Sequence, residues 1–354
     1  MRLGVEAALV DGRFVPGDVE IADGAIVAYA LASPNGRGLA VPGFVDLQVN
    51  GFGGVDFLDA DAAAYRVAGD ALLETGVTAY LPTLITSPAE ELLAALREVP
   101  AGPERPRILG VHLEGPFLSP RRLGTHVPSA QVDPDLELLE RLLDGGPVRL
   151  MTVAPELPGA AALIERLLER GVTVSLGHTD ATAEQANAAF DLGVGTVTHL
   201  FNAMRPFVHR DPGIVGAALA RDDVIVQIIL DGIHLARETA QIIWRAAAGR
   251  VALVTDAIAA AGMPPGVYQL AKQRVELSPS GRVALPGSPY LAGSALLMNV
   301  AIGNTVRFTG LPLDEVVAMA STRPADYLGI RTAGKVTAIW DATTSELRVE
   351  RLEP

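Results

Sequence analysis

Six residues of the types that bind metals or move protons end or follow short apolar runs in this sequence. They are Glu114, His178, His199, Asp231, His234 and Asp256. One carboxylate with two imidazoles is a ligand set that leaves positions open for water in catalytic zinc sites. A further carboxylate beside such a site is suited to general acid–base catalysis. The residue types therefore indicate metal-assisted hydrolysis.

Each of these residues also has an ordinary structural explanation. A single His that ends a strand is more often a hydrogen-bonded structural residue than a ligand, and a single Asp or Glu there commonly caps the next helix. Six polar residues against otherwise apolar strands are harder to explain by packing, because buried polar groups must be hydrogen-bonded, ligated or functional. From this pattern alone, an unrelated barrel enzyme stays open as the alternative.

The elements that would position these residues begin at Pro42, where strand-like and helix-like runs start to alternate. Eight runs read as strands, at 43–50, 78–84, 108–114, 148–155, 172–178, 194–200, 224–231 and 251–256. Amphipathic runs follow at 61–75, 88–98, 159–170, 181–192 and 235–248, and the last helix is predicted at 313–329. This rhythm predicts an α/β fold, a (β/α)8 TIM-type barrel, whose active site lies at the carboxyl ends of the strands.

The alternative to the barrel is a doubly wound open sheet. That fold would place a glycine-rich phosphate loop after an early strand, and the stretch 50–54 (NGFGG) fits neither GxGxxG nor the P-loop. The barrel is therefore favoured.

Both ends of the chain have strand-like character outside the barrel. Asp11-Gly12 and Asp23-Gly24 separate short β-prone runs, a pattern typical of hairpins, so residues 1–41 predict a small β layer. The final segment, 336–352, is strand-like and is expected to rejoin that layer. Residues 264–285 are expected to form a β excursion after the eighth strand.

Composition excludes several classes of protein and of site. The chain has 354 residues, of which 49% are hydrophobic and 19% charged, so a large core can be buried and disorder is not expected. It contains no Cys, which excludes disulfides and thiolate ligands. A net charge of −13 argues against nucleic acid and anionic membranes as partners. Without a signal-peptide pattern or an apolar run near the roughly 20 residues of a membrane span, we expect a soluble cytoplasmic protein.

A series of motifs sharpens the hypothesis. In chain order they are Pro42–Gly51, Tyr80–Thr86, His112–Phe117, Gly124–His126, Gly177–Thr179, His199–Met204, Arg210–Gly213, Asp231–His234, Val254–Ala257 and Leu291–Ser294. With these motifs the chain resembles the N-acetylglucosamine-6-phosphate deacetylases of the amidohydrolase superfamily, from about residue 42 to 330. HLEGP or THLFNAM alone would be only suggestive, but the ordered set is highly specific.

The resemblance implies a fold and a reaction. The fold is a (β/α)8 barrel, here residues 42–331, with a small β-sandwich built from residues 1–41 and 332–354. The reaction is hydrolysis of the acetamide of N-acetylglucosamine 6-phosphate in amino-sugar catabolism. A metal-activated water attacks, and Asp256 acts as general base and then as general acid.

The resemblance also implies roles for individual residues. The metal ligands are Glu114, His178 and His199, and His126 contacts the scissile carbonyl. The substrate-binding set is Thr125, Asn202, Ala203, Arg210, Asp231, His234, Leu291, Ala292 and Gly293. Within it Asn202, Ala203 and Arg210 contact the phosphate, and the arginine reaches the neighbouring active site of a homodimer.

Gln48 and Asn50, near the expected metal, depart from the common amidohydrolase pattern. Many amidohydrolases have a His-x-His pair on strand one that supplies a second metal, whereas a subset of the deacetylases shares this Gln-x-Asn pair. Neutral amides are poorer ligands for transition metals than imidazole. We therefore expect one divalent metal per subunit, Zn²⁺ first, with Fe²⁺, Co²⁺ and Mn²⁺ as alternatives.

Several points stay open at the level of sequence. Deacetylation of the galactosamine isomer, opening of a cyclic amide, and a non-catalytic scaffold are alternatives, although the intact ligand set argues against the scaffold. His112 shares a strand face with Glu114 and is expected to support the site without ligating metal. His209 has no assigned role. The C-terminal stretch around Gly334 is shorter than the tail usual in the family, so the small domain is expected to be trimmed there.

Overall fold

A ring of parallel strands forms the centre of the computed structural model, which describes residues 1–22, 24–102, 105–332 and 334–353. The strands are β1 (Ala7–Val10), β2 (Arg13–Pro16), β3 (Asp18–Ala22), β4 (Ala25–Leu31), β5 (Leu39–Pro42), β6 (Phe44–Val49), β7 (Gly51–Phe52), β8 (Val55–Asp56), β9 (Val77–Ile85), β10 (Arg107–Ile108), β11 (Val111–Glu114), β12 (Val148–Val153), β13 (Thr173–Leu176), β14 (Thr196–Val197), β15 (Ile225–Ile228), β16 (Val251–Leu253), β17 (Gly266–Leu270), β18 (Gln273–Leu277), β19 (Val283–Ala284), β20 (Lys335–Asp341) and β21 (Glu346–Glu353).

Helices connect the strands of the ring and cover its outside. They are α1 (Ala62–Leu73), α2 (Ala89–Glu98), α3 (Leu136–Gly145), α4 (Ala160–Glu169), α5 (Ala183–Asp191), α6 (Gly213–Ala220), α7 (Arg237–Ala246), α8 (Met298–Thr309), α9 (Leu313–Ala320) and α10 (Thr322–Tyr327). Several begin at a side-chain cap, such as Thr182, which forms a capping box with Gln185 at the start of α5.

The ring has eight strand positions and closes on itself. β6 pairs with β9, β9 with both β10 and β11, and each strand from β11 to β16 pairs with the next, all in parallel. The ring closes beyond β16, where the Asp256 N–H donates to the Gln48 carbonyl at 3.0 Å and the Asn50 N–H to the Ala257 carbonyl at 2.7 Å. The predicted TIM-type barrel is confirmed.

Burial explains why the barrel strands read as apolar runs. Every residue of β6 and of β9 is buried, because the ring interior covers one face of each strand and the helices cover the other. Phe44, Leu47 and Tyr80 are among the largest fully buried side chains. The interior also holds polar groups close to the carboxyl ends of the strands, where the site lies.

The two ends of the chain meet in one sheet outside the barrel. Its order is β2-β1-β5-β20-β21, and β3 pairs with β4 in a separate two-stranded sheet. β5 is the centre strand, parallel to β1 and antiparallel to β20, so the short C-terminal hairpin completes the sheet begun by the N-terminal strands. The division of the chain at residues 41 and 332 stays a prediction.

One predicted helix is wrong, and one observed helix was not predicted. The single helix expected over 313–329 is wrong: the chain breaks at Ser321, with φ −136° and ψ −82°, between α9 and α10. The Ser321 hydroxyl donates to the Val317 carbonyl at 2.6 Å, a local hydrogen bond that competes with helix continuation.

α8 was not predicted, because Gly303 in its interior weakens the helical signal. A Cβ at Gly303 would lie 2.2 Å from the Ser345 carbonyl oxygen, so only glycine allows this close approach.

The expected β excursion after the eighth strand is present as β17, β18 and β19, which form an antiparallel sheet. Among the helices of the described ranges, none is long and apolar enough to cross a bilayer.

Candidate metal centre and active site

Three predicted ligands converge at the carboxyl ends of the barrel strands. Glu114 is the last residue of β11, and His178 and His199 each follow a strand by two residues. The Glu114 Oε1 atom lies 3.1 Å from His178 Nε2 and 2.9 Å from His199 Nε2. The ligand atoms of all three side chains lie within 4.8 Å of one another, and all three residues are buried.

The backbone turns sharply where these side chains enter the site. His178, His199 and Asp256 have positive φ angles of 46°, 30° and 51°. For residues other than glycine this left-handed conformation is costly and is commonly found at functional sites. It also corrects the predicted strand ends, because β13, β14 and β16 end before these residues instead of including them.

The hydrogen bonds of His178 test whether the site suits a cation. Its Nδ1–H donates to the Arg122 carbonyl at 2.9 Å, so a neutral ring presents its Nε2 lone pair to the Glu114 carboxylate. Two acceptors that face each other at this distance require a positive species between them, a metal ion or a proton. Two imidazole nitrogens and one carboxylate oxygen match the preferences of divalent transition metals. The residues present therefore fit a divalent metal.

Electrostatics favour ionised Glu114. Burial alone would raise its pKa, but when protons lie between the side chains, the hydrogen bonds and positive charges of His178 and His199 hold the pKa of Glu114 well below its usual range. For His199, burial alone would lower the pKa, but the hydrogen bond and charge of Glu114 raise it. The ionised Glu114 carboxylate is thus the negative charge that both imidazoles contact.

Asp256 lies beside this centre and is held by two amides, Gln48 in β6 and Asn50 directly after it. Its Oδ1 atom accepts from Gln48 Nε2 at 3.0 Å and from Asn50 Nδ2 at 2.7 Å. The same Gln48 amide donates to Glu114 Oε1 at 3.0 Å. Burial, with the negative charge of Glu114, raises the pKa of Asp256 to about 6. A carboxyl group with such a pKa can both accept and return a proton near neutral pH.

His126 adds a neutral hydrogen-bond donor to the site. The Thr86 N–H donates to its Nδ1 at 3.3 Å, which places the ring proton on Nε2. That Nε2 atom lies 3.7 Å from Glu114 Oε2. Burial, together with the charge of His178, lowers the pKa of His126 to about 3, so the ring is neutral and can donate to a developing oxyanion.

A cavity of about 610 Å³ opens above these groups. The predicted residues that line it are Asn50, Glu114, Thr125, His126, His178, His199, Asn202, Ala203, His234, Asp256, Leu291 and Gly293. The structure thus brings most of the predicted set around one space large enough for a small sugar phosphate.

Four predicted residues do not line this cavity. Asp231 lies behind His234, with its Oδ2 atom 2.7 Å from the His234 Nδ1 atom, and so orients that ring. Ala292 is fully buried, and Gln48 lies between the two carboxylates. Arg210 is exposed on the surface, and the nearby Asp211 pairs with Arg205 instead.

His112 does not contact the ligand atoms directly. Its ring nitrogens lie 2.7 Å from the Thr152 hydroxyl and 3.3 Å from the Thr83 hydroxyl. Burial lowers its pKa to about 4, so it is a neutral member of a hydrogen-bonded layer inside the barrel. The expected supporting position, without ligation, agrees with these contacts.

Sequence reasoning missed Arg121, Arg122 and Tyr290, which also line the cavity. The Arg122 guanidinium is held by Asp180, with an Nη2–Oδ1 distance of 2.6 Å, while the Arg122 carbonyl orients His178. One sequence signal could have identified the two arginines: they are adjacent basic residues between the motifs His112–Phe117 and Gly124–His126, in a chain with a net charge of −13. The orienting role of the carbonyl has no sequence signal, because every residue has one.

Comparison with known proteins decides the family. The profile of the Amidohydrolase family matches residues 39–344. An N-acetylglucosamine-6-phosphate deacetylase of Lysinibacillus sphaericus is 36% identical over 347 residues, which cover 94% of this chain and 89% of that protein. The chain belongs to the amidohydrolase family, among the N-acetylglucosamine-6-phosphate deacetylases. The family resemblance stated from the motifs is confirmed.

Solved structures agree with this placement of the amidohydrolase. The N-acetyl-D-glucosamine-6-phosphate deacetylase of Mycobacterium smegmatis, a mutant solved in complex with N-acetyl-D-glucosamine 6-phosphate, has a TM-score of 0.90 and 35% identity. The match covers 98% of this chain and 96% of that one. An N-acetylgalactosamine-6-phosphate deacetylase of Escherichia coli O157:H7 is 34% identical over 322 residues, which cover 88% of this chain and 85% of that protein.

Proposed function

We propose that this amidohydrolase hydrolyses the acetamide of N-acetylglucosamine 6-phosphate to glucosamine 6-phosphate and acetate. The observation that carries the proposal is the convergence of Glu114, His178 and His199 with Asp256 and neutral His126 at the floor of one cavity. Hydrolysis of an amide needs an activated water, a proton shuttle and a group that stabilises the oxyanion, and this set offers residues for each.

Glu114, His178 and His199 would hold one divalent metal per subunit. When bound, such an ion polarises the carbonyl and lowers the pKa of water from 15.7 to about 7. We propose a single ion because Gln48 and Asn50 occupy the positions of the usual His-x-His pair, and neutral amides are poorer ligands for transition metals than imidazole. Their nitrogens donate to the carboxylates of Glu114 and Asp256. Zn²⁺ suits two imidazoles and a carboxylate, while Fe²⁺, Co²⁺ and Mn²⁺ fit the same donors.

Asp256 is the proton shuttle in this proposal. Gln48 and Asn50 fix its Oδ1 atom, which leaves Oδ2 to take a proton from the attacking water. The same oxygen then gives that proton to the leaving nitrogen, as general acid. His126 donates its Nε2–H to the oxygen of the former acetyl carbonyl, where negative charge develops.

Phosphate binding is assigned to Asn202 and Ala203 of one subunit and to Arg210 of its neighbour in a homodimer. Arg210 follows a segment, 206–209, in which Phe207 and Val208 are exposed apolar residues. An exposed arginine beside apolar surface suits an interface from which it reaches a neighbouring site. A guanidinium also offers the paired N–H groups that match phosphate oxygens.

The galactosamine isomer is the second candidate substrate, because the E. coli relative that is named for it is nearly as similar as those named for the glucosamine compound. Acetate release from both phosphorylated sugars, and from unphosphorylated N-acetylglucosamine, tests the assignment. We expect the highest kcat/KM for N-acetylglucosamine 6-phosphate. Equal kcat/KM with and without the phosphate would contradict the phosphate site. The cytoplasmic location stays a prediction.

A further inference from the structure

The side-chain oxygen of Asn50 lacks a hydrogen-bond partner among the described residues. Its Nδ2 donates to Asp256 at 2.7 Å, yet its Oδ1 atom is buried and has no hydrogen-bond partner among the described residues. The residue is only 3% exposed. A buried amide oxygen without a partner is unfavourable, so such atoms are explained by water, a ligand or a functional role.

Hydrogen bonds hold the main chain of Asn50 and identify the two atoms of its side-chain amide. The Asn50 N–H donates to the Ala257 carbonyl at 2.7 Å, and the Asn50 carbonyl accepts from Phe57 at 3.0 Å. Because Nδ2 faces a carboxylate, it must be the NH₂ group, and the acceptor oxygen is the other atom. Asn50 lines the cavity, whereas Gln48, which also has an unpartnered buried oxygen, does not. Of these two amides, Asn50 is therefore the one at the cavity, and its acceptor oxygen is adjacent to the nitrogen that binds Asp256.

We propose that Asn50 Oδ1 accepts the N–H of the scissile acetamide and thereby turns the nitrogen lone pair toward Asp256. This inference rests on the proposed function and adds a catalytic residue to it. In the second half of the reaction the C–N bond breaks, its electron pair stays on nitrogen, and nitrogen takes the proton held on Asp256. Acetate and a free amine result. Proton transfer needs the lone pair to face Asp256, and an N–H held by the neighbouring amide enforces that geometry.

The substrate class that follows is a secondary amide. An ester has no N–H, and an N-methyl amide carries a methyl group where the acceptor lies. A role limited to holding Asp256 is shared by Gln48 and Asn50, because both amides donate to the same carboxylate oxygen. Such a role would change the amide-to-ester ratio equally in variants of either residue. We therefore expect Asn50 to favour substrates whose leaving atom is an N–H nitrogen over those whose leaving atom is an ester oxygen.

The experiment compares the acetamide with the 2-O-acetyl ester of glucose 6-phosphate, in the metal-loaded wild-type protein and in Asn50→Ala and Gln48→Ala. Both substitutions remove a donor to Asp256, but only the first removes the cavity acceptor. We expect the amide-to-ester ratio of kcat/KM to fall at least tenfold in Asn50→Ala and to stay within threefold of wild type in Gln48→Ala. An unchanged ratio in Asn50→Ala would overturn the proposal.

A second arm uses only the wild-type protein, in case Asn50→Ala does not fold. The N-methyl acetamide substrate is expected to react at least a hundredfold more slowly than the N–H acetamide. Reaction within threefold of the N–H acetamide would overturn the proposal. Failure of the proposed function would appear separately, as wild-type protein that releases no acetate from the N–H acetamide.

Discussion

Glu114 and Asp256 share one hydrogen-bond donor: the Gln48 Nε2 atom lies 3.0 Å from Glu114 Oε1 and 3.0 Å from Asp256 Oδ1. One amide group thus bridges two buried carboxylates. In the proposed function Glu114 binds the metal together with the imidazoles, and Asp256 transfers the protons. This division of labour leads to separate predictions for the two carboxylates.

Asp256→Asn is expected to lower kcat by about 10²–10⁴-fold or more, because one group serves both proton transfers. The metal content is expected to stay near one ion per chain, since Asp256 is not assigned as a ligand. Steady-state kinetics and elemental analysis of the same preparation check both parts. Asp191→Asn, on the exposed surface, is the control. A variant that lost its metal together with its activity would show that Asp256 is a ligand.

Glu114→Ala is expected to lose both metal and activity, because it removes the carboxylate that both imidazoles face. Inductively coupled plasma mass spectrometry after dialysis measures the metal. The matched control is Glu140→Ala, which removes a surface carboxylate that pairs with Arg166 and Arg170. Full metal content and activity in Glu114→Ala would overturn the ligand assignment.

The pH profile is expected to fall on the acid side. Asp256 must be ionised to accept a proton, and burial raises its pKa to about 6. A nearby cation would favour the ionised form and lower this pKa. We therefore expect kcat/KM to decline as the pH falls through a midpoint no higher than about 6, when measured with metal in excess to separate base protonation from metal loss. A midpoint above 7 would contradict Asp256 as the base.

Arg210→Ala is expected to raise KM for the phosphorylated substrate by roughly 10–100-fold, as loss of a charged hydrogen bond does. Activity on unphosphorylated N-acetylglucosamine is expected to be unchanged. Arg245→Ala, at the exposed end of α7, is the control.

Mixed dimers test whether the arginine acts across the subunit boundary. In a dimer of Arg210→Ala with Asp256→Asn, the second subunit supplies an intact Arg210 to the first subunit's intact Asp256. Partial recovery of activity is expected on mixing. Recovery no greater than the average of the two parent variants would contradict the contribution from the neighbour.

Gly293→Ala is expected to reduce both stability and activity. Gly293 has φ +61°, and a Cβ there would lie 2.9 Å from the Asp256 carbonyl oxygen and 2.5 Å from an Ile258 methyl group. Gly310→Ala is the control, because Gly310 has φ +73° but a Cβ there would meet nothing within 4 Å. We expect the first variant to be roughly 1–3 kcal/mol less stable than the second in urea denaturation. Equal stabilities would show that the Gly293 turn can move aside freely.

The barrel and the convergence of Glu114, His178 and His199 could be predicted from the sequence because both depend on one regular feature. In a (β/α)8 barrel the carboxyl end of each strand faces the site, so strand order predicts that Glu114, His178 and His199 lie near one another. Their role as metal ligands was implied by the family resemblance. The motifs then assigned roles to residues that spacing could not distinguish, such as His126.

Features that depend on backbone conformation could not be predicted in this way. The positive φ angles at His178, His199 and Asp256 end the strands early, and nothing in a run of apolar residues signals that turn. The helix α8 contains Gly303, and glycine is required there because the main chain of Ser345, 42 residues further along, packs against it. The hydrogen bond from His178 to the Arg122 carbonyl involves the main chain and therefore leaves no pattern in the residue types.

The central claim is that one cation, held by Glu114, His178 and His199, supports hydrolysis of the acetamide. Titration of the metal-free protein with Zn²⁺, while acetate release from N-acetylglucosamine 6-phosphate is followed, tests it most directly. We predict that activity rises linearly and reaches its plateau at one equivalent per chain. A plateau at two equivalents, or full activity in the metal-free protein, would contradict it.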